Sequence, residues 1–202
     1  MENRAGRKQD ESSSVQENIV GSRQPAPFLV KSLPLLPRGH VLDVAAGSGR
    51  NTLYLAKQGF TVHALDRDPD ALQALQAAAH EQQLSQVTVE VVDLEGESFP
   101  TQVFPMEAYD VVIVCFYLLR PLFPALLQTL KPGGVLLYET FLLENYERYR
   151  RPRHPVFCLQ PHELRTLAAG LQILQYDEAA RAGKEGRQET FTARLLARKE
   201  SR

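Results

Sequence analysis

The chain has 202 residues, 44% hydrophobic and 23% charged, with a formal net charge of -1 at pH 7. That is enough for one globular domain with a full core plus a tail, and the near-neutral balance excludes a global basic field for nucleic acid. The two cysteines, Cys115 and Cys158, form neither a metal-ligand pattern nor a disulfide framework.

Residues 1–24 are polar, with a Ser12-Ser13-Ser14 run and mixed charge, and predict a disordered tail ahead of a domain over 25–202. Met1 to Ser14 lacks the pattern of a signal peptide. The longest apolar run, the nine residues Val111–Leu119, is too short to span a bilayer. A cytoplasmic protein with no membrane partner is expected, as a monomer or homodimer.

Phe28, Leu29, Leu33 and Leu36 share one helical face, and Pro34 and Pro37 limit that helix. Val41 to Ala46 is an apolar run broken only by Asp43, then by Gly47-Ser48-Gly49, and an amphipathic segment follows from Asn51 to Gln58. Strand, glycine turn and helix in that order put a bare backbone loop at the carboxyl edge of a sheet, where open α/β sheets bind ligands. Phe60 to Leu65 reads as the second strand and delivers Asp66, an acid placed to bridge a ribose diol. Asp68-Pro69 starts a helix that runs to about Gln82.

Val87 to Val92 is a β-branched third strand closed by Asp93-Leu94, and Gly96 to Met106 is a loop or short crossover. Tyr109 to Cys115 is apolar at almost every position, as for a strand covered on both faces. A helix over Pro121–Leu130, a sharp turn at Lys131-Pro132-Gly133-Gly134 and a fifth strand from Val135 to Thr140 follow. Pro161 to Ala169 gives one more helix. Two extended segments, Leu171 to Tyr176 and Glu189 to Arg198, flank the glycine-bearing stretch Asp177–Arg187 and are expected to pair antiparallel. The alternation of strands and helices argues for a parallel sheet with right-handed crossovers.

Asp43 to Gly49 followed by Asp66 resembles the cofactor loop of class I S-adenosylmethionine-dependent methyltransferases, with Ala45 where that family has glycine. From Pro25 to Lys199 the chain is similar to the small tellurite-resistance-type methyltransferases. Gly47-Ser48-Gly49-Arg50-Asn51, Leu55 to Phe60, Lys131 to Gly134, His162-Glu163-Leu164 and Ala193 to Lys199 carry that likeness. The resemblance implies a doubly wound α/β fold, a mostly parallel seven-stranded sheet with an antiparallel C-terminal strand. It also implies S-adenosyl-L-methionine as cofactor and a small-molecule acceptor that is anionic, a thiol or an oxyanion. There is no tryptophan before Pro25 and no His-Arg pair within Ala182–Arg187, which sets the chain apart from the tellurite enzymes themselves.

On this resemblance Asp43, Gly47, Ser48 and Gly49, with the flanking Ala45 and Asn51, serve the methionine end of the cofactor. Asp43 either holds the turn's amides or faces the ammonium. Asp66 takes the ribose, and Arg67 either covers the adenine or is simply exposed. Asp93 and Leu94 bind the adenine or cap their strand. Cys115 and Phe116 pack on the cofactor or belong to the core, and Tyr117 lies on the substrate side. No metal site is expected. The stretch Asn145 to Pro155 follows the fifth strand with four arginines among aromatics, and its two prolines and lack of a helical period predict an ordered loop. It is read as a lid whose Arg148, Arg151, Arg153 and His154 orient an anionic substrate, as a solvated loop, or, least favoured, as a basic patch for RNA. Two other functions compete with a methyltransferase: a non-catalytic cofactor-binding scaffold or RNA-binding partner, and an NAD-dependent oxidoreductase. The oxidoreductase would prefer a third glycine where Thr52 stands.

Overall fold

The computed structural model describes residues 24–96, 104–182 and 189–201. The tail expected over residues 1–24 lies outside these apart from Gln24, as do most of the Gly96–Met106 loop and the Gly183–Gln188 part of the last connection.

Seven strands form one sheet: β1 (His40–Val44), β2 (Thr61–Asp66), β3 (Val87–Val91), β4 (Tyr109–Cys115), β5 (Leu130–Phe141), β6 (Gln172–Arg181) and β7 (Thr190–Arg198). Their order is β3-β2-β1-β4-β5-β7-β6. The first five are parallel, and β7 runs antiparallel between β5 and β6. The order reverses between β1 and β4, so the loops leaving these two strands diverge and open a crevice, the place where such sheets take ligands. This is the architecture that the resemblance implied.

The helices are α1 (Pro27–Ser32), α2 (Arg50–Lys57), α3 (Pro69–Glu81), α4 (Phe123–Thr129), α5 (Leu143–Tyr149) and α6 (Glu163–Leu167). Because successive side chains on a strand point to opposite faces, each central strand feeds two cores. One face carries Leu42, Val112, Leu136 and Leu195 against Leu122 and Leu126 beside α4. The other carries Val41, Ile113, Leu137 and Leu196 against Phe28 and Leu29 of α1 and Leu55 and Ala56 of α2. Asp43 shares the α1/α2 face with Val41, and that placement governs its chemistry.

Four details differ from the sequence reading. Lys131 to Gly134 does not turn into a new strand but forms an irregular stretch inside β5, where the pairing jumps from Tyr109–Leu130 to Val111–Val135. The chain end holds it there: Gly133 N donates to Lys199 O (2.9 Å) and Lys199 N donates to Gly134 O (2.8 Å). The helix expected over Pro121–Leu130 is a 3₁₀ turn, Arg120–Leu122, followed by α4, with a proline in the first turn of each. β6 continues to Arg181, so Asp177–Arg181 is strand rather than connection. The arginine-rich stretch begins inside the helix α5 rather than in a loop.

Asp68 caps α3 as expected, its Oδ1 accepting from Asp70 N (3.0 Å) and Ala71 N (3.2 Å), with Pro69 in the first turn. Replacing Asp68 with alanine is expected to lower stability by about 1 kcal/mol, seen as a lower urea midpoint with an unchanged slope.

Candidate cofactor crevice

At the end of β1 the chain adopts left-handed backbone at Ala45 (φ 56°), Gly47 (φ 55°) and Gly49 (φ 77°). These reversals fold the loop back over β2, where Ala46 N donates to Leu65 O (2.9 Å) and Gly47 N to Asp66 Oδ2 (2.7 Å). Asp66 Oδ1 accepts from Asp68 N (3.0 Å), so the half-buried carboxylate fastens the glycine loop to the end of β2. Gly49 must lack a side chain, because a Cβ there would lie 2.1 Å from Leu75 Cδ1 of α3. Ala45 takes a backbone shape that suits glycine, at a cost on the order of 1 kcal/mol. Ser48 at the loop tip is exposed.

Asp43 is 2% exposed and accepts from the Thr52 hydroxyl (2.6 Å) at the start of α2. Burial pushes its carboxyl up to about 7, an effect the Asp66 charge adds to and the Thr52 hydrogen bond and Arg50 charge oppose. Next to Thr52, Asn51 is buried and spends its Oδ1 on Ala26 N (2.9 Å), while its side chain also bonds the Cys115 thiol. Asn51 thereby ties the segment entering α1 to the end of β4. Arg50 lies over the Phe116 ring, its guanidinium carbon 5.7 Å from the centroid, and reaches Gln24 O (3.4 Å).

β4 ends in a left-handed residue, Phe116 (φ 60°), whose N–H donates to Glu139 O (2.7 Å) and whose ring lies 5.1 Å from that of Phe141. Burial, with Glu139 and Asp43 nearby, pushes the Cys115 thiol well up, so this cysteine is an inert wall rather than a nucleophile.

The loop after β3 is equally defined. Val92 N donates to Asp66 O (2.9 Å), which brings the end of β3 alongside Asp66. Leu94 is buried, and the exposed Asp93 turns its Oδ1 to Glu95 N (3.0 Å). Arg67 lies 3.6 Å from Glu95, and the Tyr117 hydroxyl also bonds Glu95. Burial raises Tyr117, and so do the Glu95 and Asp93 charges, with Arg67 opposing. Arg67, Asp93, Glu95 and Tyr117 thus make one rim beside the end of β3, where the sequence put Tyr117 on the substrate side.

The arginine-rich stretch does not converge on the crevice as a group. Arg148 is held by Glu144 one turn back (2.6 Å) and lies 4.5 Å over the Phe191 ring. Arg151, Arg153 and His154 stand on the surface, and His154 meets the Phe157 ring edge-on. The segment is anchored from below by the buried Asn145, which accepts from Phe191 N (2.9 Å) and donates to Arg151 O (2.8 Å).

Several residues that matter here escaped the sequence reading. Glu139 is 2% exposed beside Cys115. Its signal was a lone charge in the apolar run Val135–Tyr138, the same signal that marked Asp43. Arg50, Thr52 and Arg194 stood inside or beside quoted motifs without a role of their own, and Glu95 carried no local signal. Among the described residues there is no cluster of three or more His, Cys, Asp and Glu suited to a metal ion, and no helix long and apolar enough to cross a membrane.

Residues 41–134 match a family described as a methyltransferase domain. A stretch of 115 residues, 54% of the chain, is 33% identical to an uncharacterized protein of Mycobacterium tuberculosis, of which it spans 40%. A 74-residue stretch, 36% of the chain, is 38% identical to the 2-heptyl-1-hydroxyquinolin-4(1H)-one methyltransferase of Mycobacteroides abscessus, of which it spans 33%. The matched stretch is thus less than half the length of either relative. Among solved structures, TehB from Haemophilus influenzae superposes over 92% of this chain and 66% of its own, with a TM-score of 0.74 at 19% identity. Residues 41–134 thus match a methyltransferase domain, and the chain shares the Rossmann-like methyltransferase fold of TehB, as its glycine loop implied.

Two outcomes test this geometry. Asp43→Asn is expected to be more stable than wild type at pH 8, with the gap closing as pH falls. A carboxyl raised from 3.8 to about 7 binds its proton more tightly when folded, so its contribution to stability is present at low pH and is lost as pH rises through that window. Urea unfolding from pH 4 to 8 reads this as a wild-type slope of at most about 1.4 kcal/mol per pH unit, flattened in the variant. Ala45→Gly is expected to raise stability by up to about 1 kcal/mol in the same assay, by relieving the left-handed alanine.

Proposed function

We propose that the protein is an S-adenosylmethionine-dependent methyltransferase acting on a small-molecule acceptor. The contact between the Gly47 amide and the Asp66 carboxylate carries this reading, because it sets a bare backbone turn and a strand-end acid side by side at the switch point of the sheet. The residues present suit the cofactor. Asp66 keeps lone pairs for a ribose diol, and Leu94 offers an apolar wall with the Asp93 carboxylate beside it. Arg67 and Tyr117 border the adenine end. Asp43, buried near the start of α2, suits the methionine ammonium, directly or through its own loop. When bound, S-adenosylmethionine supplies a methyl group on a sulfonium, already a good leaving group.

The work left to this chain is therefore alignment and exclusion of water. Phe116 and Phe141 supply an apolar wall past the end of β4. The half-buried Cys115, with its thiol held protonated, does not compete as a nucleophile. The arginine-rich stretch leaves the sheet at the same edge, and Arg151, Arg153 and His154 are the side chains there positioned to meet an acceptor from solvent. An oxidoreductase reading has less support, since Thr52 occupies the place of the third glycine and spends its hydroxyl on Asp43.

S-adenosylmethionine or S-adenosylhomocysteine is expected to raise the melting temperature, by the equivalent of about 2.7 kcal/mol at a hundredfold excess over Kd, and NAD is expected to have no effect. Asp66→Ala should abolish that shift. An NAD shift without a shift from either adenosyl compound would reject the assignment.

A further inference from the structure

The parallel ladder pairs Cys115 with Glu139, and the antiparallel ladder pairs Glu139 with Arg194, so the three side chains stand in one row across β4, β5 and β7. Residues in one row share a face. Here it is the α1/α2 face, which also carries Asp43, and the row lies at the carboxyl ends of β4 and β5. Glu139 Oε1 accepts from Arg194 Nε at 2.7 Å. Its other oxygen, Oε2, is buried and accepts from no group among the described residues.

An arginine beside a carboxylate commonly engages both oxygens through its planar fork. Arg194 instead gives Glu139 its Nε and lays its guanidinium over Phe28, the carbon 5.5 Å from the ring centroid. The second oxygen is thereby held back. Leaving such an oxygen without a donor is costly, because its hydration has been given up without replacement. Its neighbours do not relieve it: no hydrogen bond from the Cys115 thiol reaches Oε2, and the Asp43 carboxyl is held by Thr52. Cys115 and Phe116, at the strand ends beside the row, are partly exposed, so an acceptor would enter past them.

We propose that Glu139 determines acceptor specificity, its Oε2 receiving an N–H or O–H carried on or next to the atom to be methylated. This inference rests on the methyltransferase reading above and narrows it. A lone carboxylate oxygen is satisfied only by a hydrogen-bond donor, and it repels the oxygens of an anion. The acceptor class is then a neutral or protonated amine or hydroxyl compound rather than an oxyanion. Arg148, one of the arginines that would argue for an anion, is already occupied by Glu144 and Phe191.

The test uses the full chain saturated with S-adenosylhomocysteine. The probes are 2-heptyl-1-hydroxyquinolin-4(1H)-one, which carries an N–OH and is named in the mycobacterial relative's activity, its O-methyl ether, a simple arylamine and tellurite. Calorimetric titration is expected to show binding of at least one donor probe, loss of about tenfold or more in affinity when the ether replaces the hydroxyl, and no binding of tellurite. Glu139→Gln, which keeps an oxygen for Arg194 and puts a donor where Oε2 stands, should lose the donor probe by a similar factor and keep its affinity for S-adenosylhomocysteine. Methyl transfer should follow the same order. The inference is overturned if no donor probe binds, if tellurite or the ether binds as well as the hydroxyl, or if the variant binds donors normally. It is also overturned if the variant loses S-adenosylhomocysteine, since Glu139 would then serve the cofactor. The comparison of hydroxyl and ether on wild type decides the matter even if the variant does not fold. Failure of wild type to bind S-adenosylhomocysteine would reject the methyltransferase reading itself.

Discussion

The hydrogen bond from the Gly47 amide to Asp66 Oδ2 joins the loop after β1 to the end of β2, and the rest of the crevice is arranged around it. A backbone N–H bound to a carboxylate is a charge-assisted contact, stronger than an ordinary amide pair. The other oxygen of Asp66 holds Asp68 N, and Asp68 in turn caps α3. Two side chains therefore set the path of the glycine loop and the start of the helix behind it. α3 then returns Leu75 against Gly49, which leaves no room for a side chain at the loop's last turn.

Across the sheet, on the face covered by α1 and α2, two acids are buried where the packing is otherwise apolar. Neither is explained by stability. Desolvating a carboxylate costs several kcal/mol, and a single partner seldom repays it. Asp43 has a hydroxyl partner and Glu139 has one bond from Arg194. Arg120 and Glu163 make the useful contrast. Arg120 meets both oxygens of Glu163 and also the carbonyls of Val156 and Cys158, tying the exit of β4 to the segment beyond α5. That pair has its hydrogen-bonding capacity spent and serves as a strap. Glu139 by contrast keeps one buried oxygen without a donor among the described residues, and Asp43 lies buried on the same face of the sheet.

Much of this was legible along the chain. The β4 run Tyr109–Cys115 was bounded correctly because a strand covered on both faces is apolar at almost every position, here at all but Asp110. The Asp68-Pro69 start of α3 was legible because capping is a contact between neighbours. Asp66 and Asp93 were placed at strand ends correctly because the apolar, β-branched runs before them mark where each strand stops. The arginine-rich stretch was misread at its start: α5 is held in place by Asn145 bonding Phe191, 46 residues away, and no local period announces that contact. The Lys131–Gly134 stretch reads locally as a turn, yet the returning chain end at Lys199 draws it into β5.

The sequence by itself determined the alternation of strands and helices, the glycine loop and the strand-end acids, because each depends on residues within a turn or two of one another. Only the tertiary structure decided that Cys115, Glu139 and Arg194 form one row, that Asn51 holds the approach to α1 beside the end of β4, and that Tyr117 joins Arg67 and Glu95 in one rim. Those relations come from strand order and pairing register, which bring together residues dozens of positions apart. A register is chosen by the packing of whole faces, and no short stretch of chain encodes it.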